Sequence, residues 1–285
     1  MSLALILGKG AYAAELYDRF SRLDSLKRPV VAAETVVFED MGLDLGERPT
    51  NMTIKRVHVS LDYPEEITLN LKQFGVRRVV LGGDFRLLDQ ISLTDNRKSI
   101  IAKKRPPHQN LLKNLQSALD EANIQYVSVI KELPEVGVGK GLLTNSPIDT
   151  AVIEELNALA ATALNELNAR NVDARARQAI VYDGDAVFSH EHENCGTDEL
   201  LEIVAAASFR GPERVLVKLC PDYADPDFDP PVLHPKTIAL AANAKISRIV
   251  MDARFGVIAH RAETITECAE RKITLFAADP RENMD

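Results

Sequence analysis

The sequence is poor in cysteine and has no long apolar run. Its three cysteines among 285 residues are odd in number and far apart, which argues against a disulfide framework and favours a reducing compartment. No apolar stretch approaches the ~18 residues needed to span a bilayer. The apolar start, residues 1–8, is too short for a signal peptide and has no basic leader. We therefore expect a cytoplasmic protein that begins with a buried strand.

Positive charge is also in deficit. Lys and Arg number 34 against 42 Asp and Glu, a net charge of −8 at pH 7. This balance argues against nucleic-acid binding, which needs clustered positive charge. A local pocket can still oppose the global field, so an anionic small-molecule substrate stays compatible. The chain is 46% hydrophobic and 27% charged, and it is long enough for two domains with separate cores.

The first half of the chain alternates strand and helix patterns. Residues 3–7 form an apolar run that ends in a glycine turn and passes into a helical pattern over 13–20, the opening of a doubly wound sheet. A second buried strand, over 76–81, also ends in a glycine turn. We therefore predict an N-terminal Rossmann-like α/β domain, with a mostly parallel sheet, over residues 1–133. Its other predicted elements are strands at 29–33, 53–60 and 126–130 and helices at 64–74 and 110–122.

Glycine and proline interrupt the periodicity over residues 134–147, so we place a linker at 134–149 and a C-terminal α/β domain of catalytic type at 150–285. The second domain is predicted to contain a hairpin over 178–189 with Asp183-Gly184 as its turn. A helix over 199–207 is expected to begin with Thr197 or Asp198 as its N-cap. The remaining patterns predict helices at 150–170, 237–244 and 264–271 and strands at 215–219, 248–251 and 274–277.

Two glycine turns in the first domain are candidate phosphate sites. Gly8-Lys9-Gly10-Ala11 would let an anion approach the backbone and the free N–H groups of the next helix, with Lys9 adding charge. Gly82-Gly83-Asp84 lies at a strand end, where ligands bind in open α/β sheets. A plain turn that binds nothing, capped by Asp84 in the second case, is the alternative for both. The dinucleotide fingerprint is broken at Ala13.

Three polar motifs stand in the second domain. In His190-Glu191-His192-Glu193, strand alternation would put both His on one face, and a metal would need a further ligand; a solvated strand end is the alternative. Gly196-Thr197-Asp198 is typical of a helix start, with an anion or metal site as its functional interpretation. One loop has several carboxylates close together in sequence, and such a loop could bind Mg²⁺ together with phosphates. The alternative is an acidic loop that is only solvated. Its acidic residues are Asp222, Asp225, Asp227 and Asp229.

Taken in order, these pieces resemble the UDP-2,3-diacylglucosamine pyrophosphatases of the LpxI type. The ordered set at matching spacing, almost from end to end, carries the resemblance rather than any single motif. The matching stretches are residues 3–11 with Glu15-Leu16, Gly82-Gly83-Asp84, Ser146-Pro147, residues 179–184, Glu191, Gly196-Thr197-Asp198, Lys218, Asp229 with Pro231, Thr237 and residues 276–280.

The resemblance implies an enzyme that hydrolyses the pyrophosphate of UDP-2,3-diacylglucosamine to UMP and 2,3-diacylglucosamine 1-phosphate in lipid A synthesis. It implies a Mg²⁺ or Mn²⁺ cofactor, a UDP-linked glycolipid substrate, a homodimer and peripheral contact with the inner membrane. Asp229 falls on the family's essential aspartate, so we expect it to hold the cation, with Glu191, or to position the attacking water. Lys218 would balance phosphate charge. The expected substrate-binding residues are Gly8, Lys9, Gly10, Ala11, Gly82, Gly83, Asp84, Gly196, Thr197, Asp198 and Thr237.

Some positions depart from the family pattern. Lys9 interrupts a three-glycine turn, and Cys195 stands where a glutamate is expected. Near Asp229, the family's Arg becomes Asp227, and a gained negative charge beside a pyrophosphate predicts weaker substrate binding. Two alternatives follow: a non-catalytic relative that binds a nucleotide or glycolipid, and, from the first glycine turn and Glu34 alone, a nicotinamide-dependent oxidoreductase. The other departures are Asp84, Ala224, Val232 and His234.

Overall fold

The chain forms two compact units, Met1–Val129 and Ile130–Asp285. The computed structural model describes residues 2–7, 11–22, 64–82, 108–145, 147–170, 178–191, 195–208, 211 and 213–282. Both units combine a sheet with helices, so the predicted α/β class is confirmed. The strands predicted at 29–33 and 53–60 lie outside the described residues.

The first unit carries a three-stranded parallel sheet in the order β1-β2-β3. Its described elements are β1 (Ser2–Leu7), α1 (Ala11–Arg22), α2 (Pro64–Gln73), β2 (Val76–Gly82), α3 (His108–Glu121) and β3 (Gln125–Tyr126). Leu7 pairs with Gly82 at the carboxyl ends of β1 and β2. The two strand ends from which the predicted glycine turns continue therefore lie side by side.

The strand predicted over 126–130 is wrong in its second part. β3 ends at Tyr126, and the N–H of Val127 still donates to the carbonyl of Val79 at 2.9 Å, but a helical turn, α4 (Val129–Glu132), follows. An apolar run this short does not distinguish a strand from a helix by periodicity.

The second unit is built on a six-stranded mixed sheet in the order β4-β11-β9-β7-β5-β6. The three neighbours β11, β9 and β7 are parallel, whereas β5 and β4 pair antiparallel at either side. A separate parallel pair joins β8 to β10. The strands are β4 (Gly141–Leu142), β5 (Ala179–Asp183), β6 (Ala186–His190), β7 (Arg214–Lys218), β8 (Val232–Leu233), β9 (Ile246–Asp252), β10 (Val257–Ile258) and β11 (Thr274–Ala278).

Helices cover both faces of this sheet. The helix α5 (Thr150–Arg170) packs on one face, and α6 (Thr197–Ala206), α7 (Pro235–Asn243) and α8 (Arg261–Glu270) pack on the other. Alternate residues of the central strands enter opposite cores: Leu216 faces the three helices and Val217 faces α5. Successive side chains of a strand point to opposite faces, and here both faces are buried. These strands are therefore continuous apolar runs in the sequence. None of the helices within the described ranges has both the length and the apolar character to cross a membrane.

Two local predictions in this unit have different outcomes. The hairpin is confirmed, but the turn predicted at Asp183-Gly184 is wrong by one residue. Asp183 still pairs with Ala186, so the two-residue loop is Gly184-Asp185, with Gly184 at φ 62°. The N-cap predicted at Thr197 or Asp198 is wrong, because Gly196 occupies that position and α6 begins at Thr197. The side chains of Thr197 and Asp198 make other hydrogen bonds instead. Part of the segment expected to be a linker, β4, pairs with β11 as an edge strand.

Candidate functional site

Polar side chains gather at the carboxyl ends of the parallel strands in the second unit. β7 ends at Lys218 and β9 ends at Asp252. The antiparallel β5 begins at the same edge, since Ala179 pairs with Lys218, and β6 ends there at His190. Ligands of open α/β sheets bind outside this edge, so it is the candidate site.

Lys218, Glu191 and Thr197 form a buried ionic cluster at this edge. The Lys218 ammonium donates to the Thr197 hydroxyl at 2.6 Å and pairs with Glu191 Oε1 at 3.3 Å. The Thr197 hydroxyl donates to the same carboxylate oxygen. The side chains of Lys218 and Glu191 are only 6% and 4% exposed, so the two charges compensate each other where little water reaches them.

Each member of this cluster is placed by the end of an element. Glu191 follows β6, and its N–H donates to the carbonyl of Ala179 at 2.8 Å, which continues the strand pairing. Lys218 is the last residue of β7, in which every residue is buried. Thr197 opens α6 after the glycine N-cap, so its side chain lies beside the strand ends rather than capping the helix.

Gln178 connects this cluster to Asp229. Its backbone N–H donates to Glu191 Oε2 at 2.9 Å, and its side-chain Nε2 donates to the carbonyl oxygen of Asp229 at 2.7 Å. The N–H of Asp229 donates to the carbonyl of Asp225 at 2.9 Å and closes a turn. The structure therefore brings three predicted residues, Glu191, Lys218 and Asp229, into one connected network.

A second polar cluster joins the N-termini of α6 and α7. Thr237 Oγ1 donates to Asp198 Oδ1 at 2.9 Å, and Lys236 Nζ pairs with Asp198 Oδ2 at 3.0 Å. His234 is the N-cap of α7, and its Nδ1 accepts from the backbone N–H of Thr237 at 3.3 Å. This bond needs an unprotonated Nδ1. Asp198 and Thr237, both predicted to bind substrate, therefore contact each other directly.

Burial and charge oppose each other in this second cluster. Burial of Asp198 would raise its pKa, but His234, the Lys236 ammonium and the Thr237 hydroxyl together lower that pKa below its ordinary value. Burial lowers the pKa of His234, and the carboxylate of Asp198 offsets this only in part. An imidazole with a lowered pKa is neutral at pH 7, as its capping bond requires.

Basic side chains from outside the acidic loop form ion pairs with two of its carboxylates. Asp222 pairs with Arg281 at 2.8 Å, and Asp227 pairs with Lys131 at 2.7 Å. Asp225 Oδ1 accepts from the N–H of Asp227 at 3.0 Å. The negative charge that Asp227 adds to the loop is therefore compensated by an ammonium of the same unit.

Sequence reasoning missed three residues of this edge. Asp252 is fully buried; burial raises its pKa, and its hydrogen bonds and Arg281 offset that rise only in part. An aspartate that closes a buried strand was the available signal. Gln178 and Arg281 had no comparable signal. The carboxylate of Asp252 accepts, at 3.0–3.2 Å, from the backbone N–H groups of Cys220, Arg254 and Phe255.

The predicted residues of the first unit are described only in part. Ala11 begins α1 and Gly82 ends β2. A Cβ on Gly82 would overlap Leu16 and lie 3.6 Å from the ring of Tyr12, so α1 packs tightly against this strand end. The substrate-binding role of these turns stays a prediction. Outside the described residues lie Gly8, Lys9, Gly10, Gly83, Asp84, His192 and Glu193.

Residues 139–276 match the family model of the LpxI C-terminal domain. The match supports a relationship of the chain to the LpxI family. This family is related to lipid A biosynthesis. The matched segment contains the whole network from Gln178 to Asp252, whereas Arg281 lies just beyond it. No curated protein matches the chain.

The donor groups of the second unit limit where a metal could bind. In the part of the chain that the structure describes, no three His, Cys, Asp or Glu side chains lie together as a metal site. The Glu191 carboxylate already accepts from Lys218, Thr197 and Gln178. Mg²⁺ commonly uses one or two carboxylates and completes its shell with water and substrate phosphates. Asp229 fits that chemistry, and both metal assignments stay predictions.

Proposed function

We propose that the protein hydrolyses the pyrophosphate of UDP-2,3-diacylglucosamine, giving UMP and 2,3-diacylglucosamine 1-phosphate. The observation that carries the proposal is the network in which Gln178 ties the buried Lys218–Glu191 pair to Asp229, inside the segment that matches the LpxI C-terminal domain. The lipid A relationship of the family supports the substrate class.

In the proposed reaction, water adds to one phosphorus atom and the bond from that phosphorus to the bridging oxygen breaks. The bridging oxygen leaves with the other phosphate, and the proton of the water passes to a base. Asp229 orients the water and accepts that proton. Such reactions depend mainly on positioning and charge stabilisation rather than on covalent catalysis.

Lys218 supplies positive charge at the strand end. Its ammonium has three N–H donors, and within the described ranges two of them meet Glu191 and Thr197. The third donates to a phosphate oxygen in the proposed complex. Glu191 and Thr197 then act by holding the ammonium in place, while Asp198 and Thr237 hold the two helix N-termini beside the substrate.

Mg²⁺ or Mn²⁺, when bound, would neutralise charge on the pyrophosphate oxygens. Asp229 is the proposed protein ligand, with substrate oxygens and water completing the shell. Glu191 would share this role only after giving up one of its present partners. We further propose a homodimer in the cytoplasm that contacts the inner membrane peripherally, because the proposed substrate is a glycolipid.

Product analysis tests the proposed function directly. The protein is incubated with UDP-2,3-diacylglucosamine and Mg²⁺ in ¹⁸O-labelled water, and the products are followed by ³¹P NMR. We expect UMP and 2,3-diacylglucosamine 1-phosphate, with ¹⁸O on one of the two phosphates. Persistence of the intact diphosphate with folded protein would remove the hydrolase assignment.

A second function is favoured by one observation, the compensation of the acidic loop by Lys131 and Arg281. Because these carboxylates do not require a cation, the protein could bind the UDP-glycolipid without hydrolysing it. A binding protein of this kind would show a higher melting temperature with ligand, by mass action, and no product. Product formation at any metal concentration would eliminate it.

A further inference from the structure

Gln178 is anchored through its main chain between two strands. Its N–H donates to Glu191 Oε2 at 2.9 Å, and its carbonyl accepts from the N–H of Leu219 at 2.8 Å. The residue is buried and directly precedes β5. Its backbone therefore has a fixed position relative to the ends of β6 and β7, independent of its side chain.

The side chain of Gln178 extends from this anchor to the acidic loop. Its Nε2 donates to the carbonyl oxygen of Asp229 at 2.7 Å. The N–H of the same Asp229 donates to Asp225, inside the loop. One side of the Asp229 main chain is thus held by the loop itself and the other side by Gln178, which belongs to the sheet.

We propose that Gln178 is the positioning residue for Asp229. It transfers the fixed geometry of the Lys218–Glu191 pair to the loop, so that the Asp229 carboxylate keeps a set distance from the Lys218 ammonium. This inference rests on the proposed function. Displacement of a reacting group by about 1 Å can cost on the order of 100-fold in rate, so a single hydrogen bond that fixes the main chain of Asp229 has a measurable effect.

The first test removes only the side-chain bond. Gln178→Met keeps the length of the side chain and both backbone hydrogen bonds but has no N–H donor. We expect kcat for UMP release to fall by about 10- to 100-fold while KM stays within about twofold, because Asp229 and not the substrate loses its contact. The matched control is Asn168→Leu, which removes two side-chain hydrogen bonds with Asp222 at the start of the same loop, at 2.6 and 2.9 Å, and should leave kcat within about twofold.

The second test uses protonation to restore the bond. In Gln178→Glu a carboxylate would face the carbonyl oxygen of Asp229, so the rate should be as low as in Gln178→Met at neutral pH. When protonated, the new side chain can donate an O–H to that carbonyl. We expect the ratio of the Glu variant's kcat to the wild-type kcat to rise as the pH falls, and the corresponding ratio for the Met variant to stay constant.

The third test does not depend on activity. Amide hydrogen exchange of Phe228 and Asp229 should be at least about 10-fold faster in Gln178→Met than in wild type, whereas amides of β7 should be unchanged. If wild type releases no UMP, the proposed function fails and the exchange experiment alone decides the positioning role. Unchanged exchange at Asp229, or a raised KM with unchanged kcat, would overturn the inference.

Discussion

The buried pair of Lys218 and Glu191 gives a quantitative stability prediction. Replacing Lys218 by Met removes the ammonium but leaves the Glu191 carboxylate buried beside Thr197, without the positive charge that it now contacts. Loss of one partner of a buried pair costs about 3–5 kcal/mol of unfolding free energy. For a unit of this size, each kcal/mol shifts the melting temperature by about 2–4 °C, so a decrease of about 6–20 °C is expected in the transition of the second unit.

Calorimetry of three variants tests this reasoning. The double variant Lys218→Met/Glu191→Gln carries no buried charge at this position, so it should melt above Lys218→Met. The matched control is Lys131→Met, which removes the ion pair with Asp227, in which the lysine side chain is 68% exposed. It should change stability by less than about 1 kcal/mol. A Lys218→Met variant that melts like Lys131→Met, or a double variant that melts no higher than Lys218→Met, would refute this explanation of the pair.

Three further predictions concern stability and reactivity. Burial lowers the pKa of His234 in the folded protein below its ordinary value of 6.5. The contribution of the neutral imidazole to the unfolding free energy is therefore fully present above pH 6.5 and is lost as the pH falls below it. Denaturation against pH should show this loss in wild type and not in His234→Asn, which keeps an N-cap acceptor; an identical pH dependence in both would contradict it. Gly256→Ala should lower the unfolding free energy by about 1–3 kcal/mol, because its Cβ would overlap the carbonyl oxygen of Asp252 and lie 2.7 Å from Val138 Cγ2. An unchanged denaturation midpoint would exclude this clash. Alkylation of native protein at about pH 8 should be slow and should become fast on unfolding, since buried thiols are inert. A thiol that reacts fast in the native protein would be inconsistent with the burial of Cys195, Cys220 and Cys268.

Elements of the second unit could be predicted where a helix pattern is long or where a strand is a short, continuous apolar run. The helix predicted over 150–170 has the observed bounds, and β7 differs from its prediction by one residue at each end. These segments bury a helix face or both strand faces, so local pattern and tertiary packing agree. The strand predicted over 126–130 was wrong in its second part, because only packing decides whether so short an apolar segment becomes a strand or a helix.

The candidate site could be predicted less completely, because its contacts join residues far apart in the chain. Glu191 and Lys218 were both singled out from the resemblance, but their mutual salt bridge follows only from the adjacency of β6, β5 and β7. Gln178 had no motif, since a hydrogen bond to the backbone of Asp229 leaves no pattern in sequence. His234 was noted as a departure from the family, and its capping role became evident only from the contact with Thr237.

Asp229 is the proposed essential carboxylate of a pyrophosphate hydrolase. The most direct measurement of this role is the rate of UMP release from UDP-2,3-diacylglucosamine. Wild type, Asp229→Ala and the control Asp225→Asn, which keeps an acceptor for the N–H of Asp227, are compared with Mg²⁺ or Mn²⁺ and with a chelator. The account predicts metal-dependent release by wild type and Asp225→Asn and none by Asp229→Ala. Full release by Asp229→Ala, or no release by folded wild type, would contradict it.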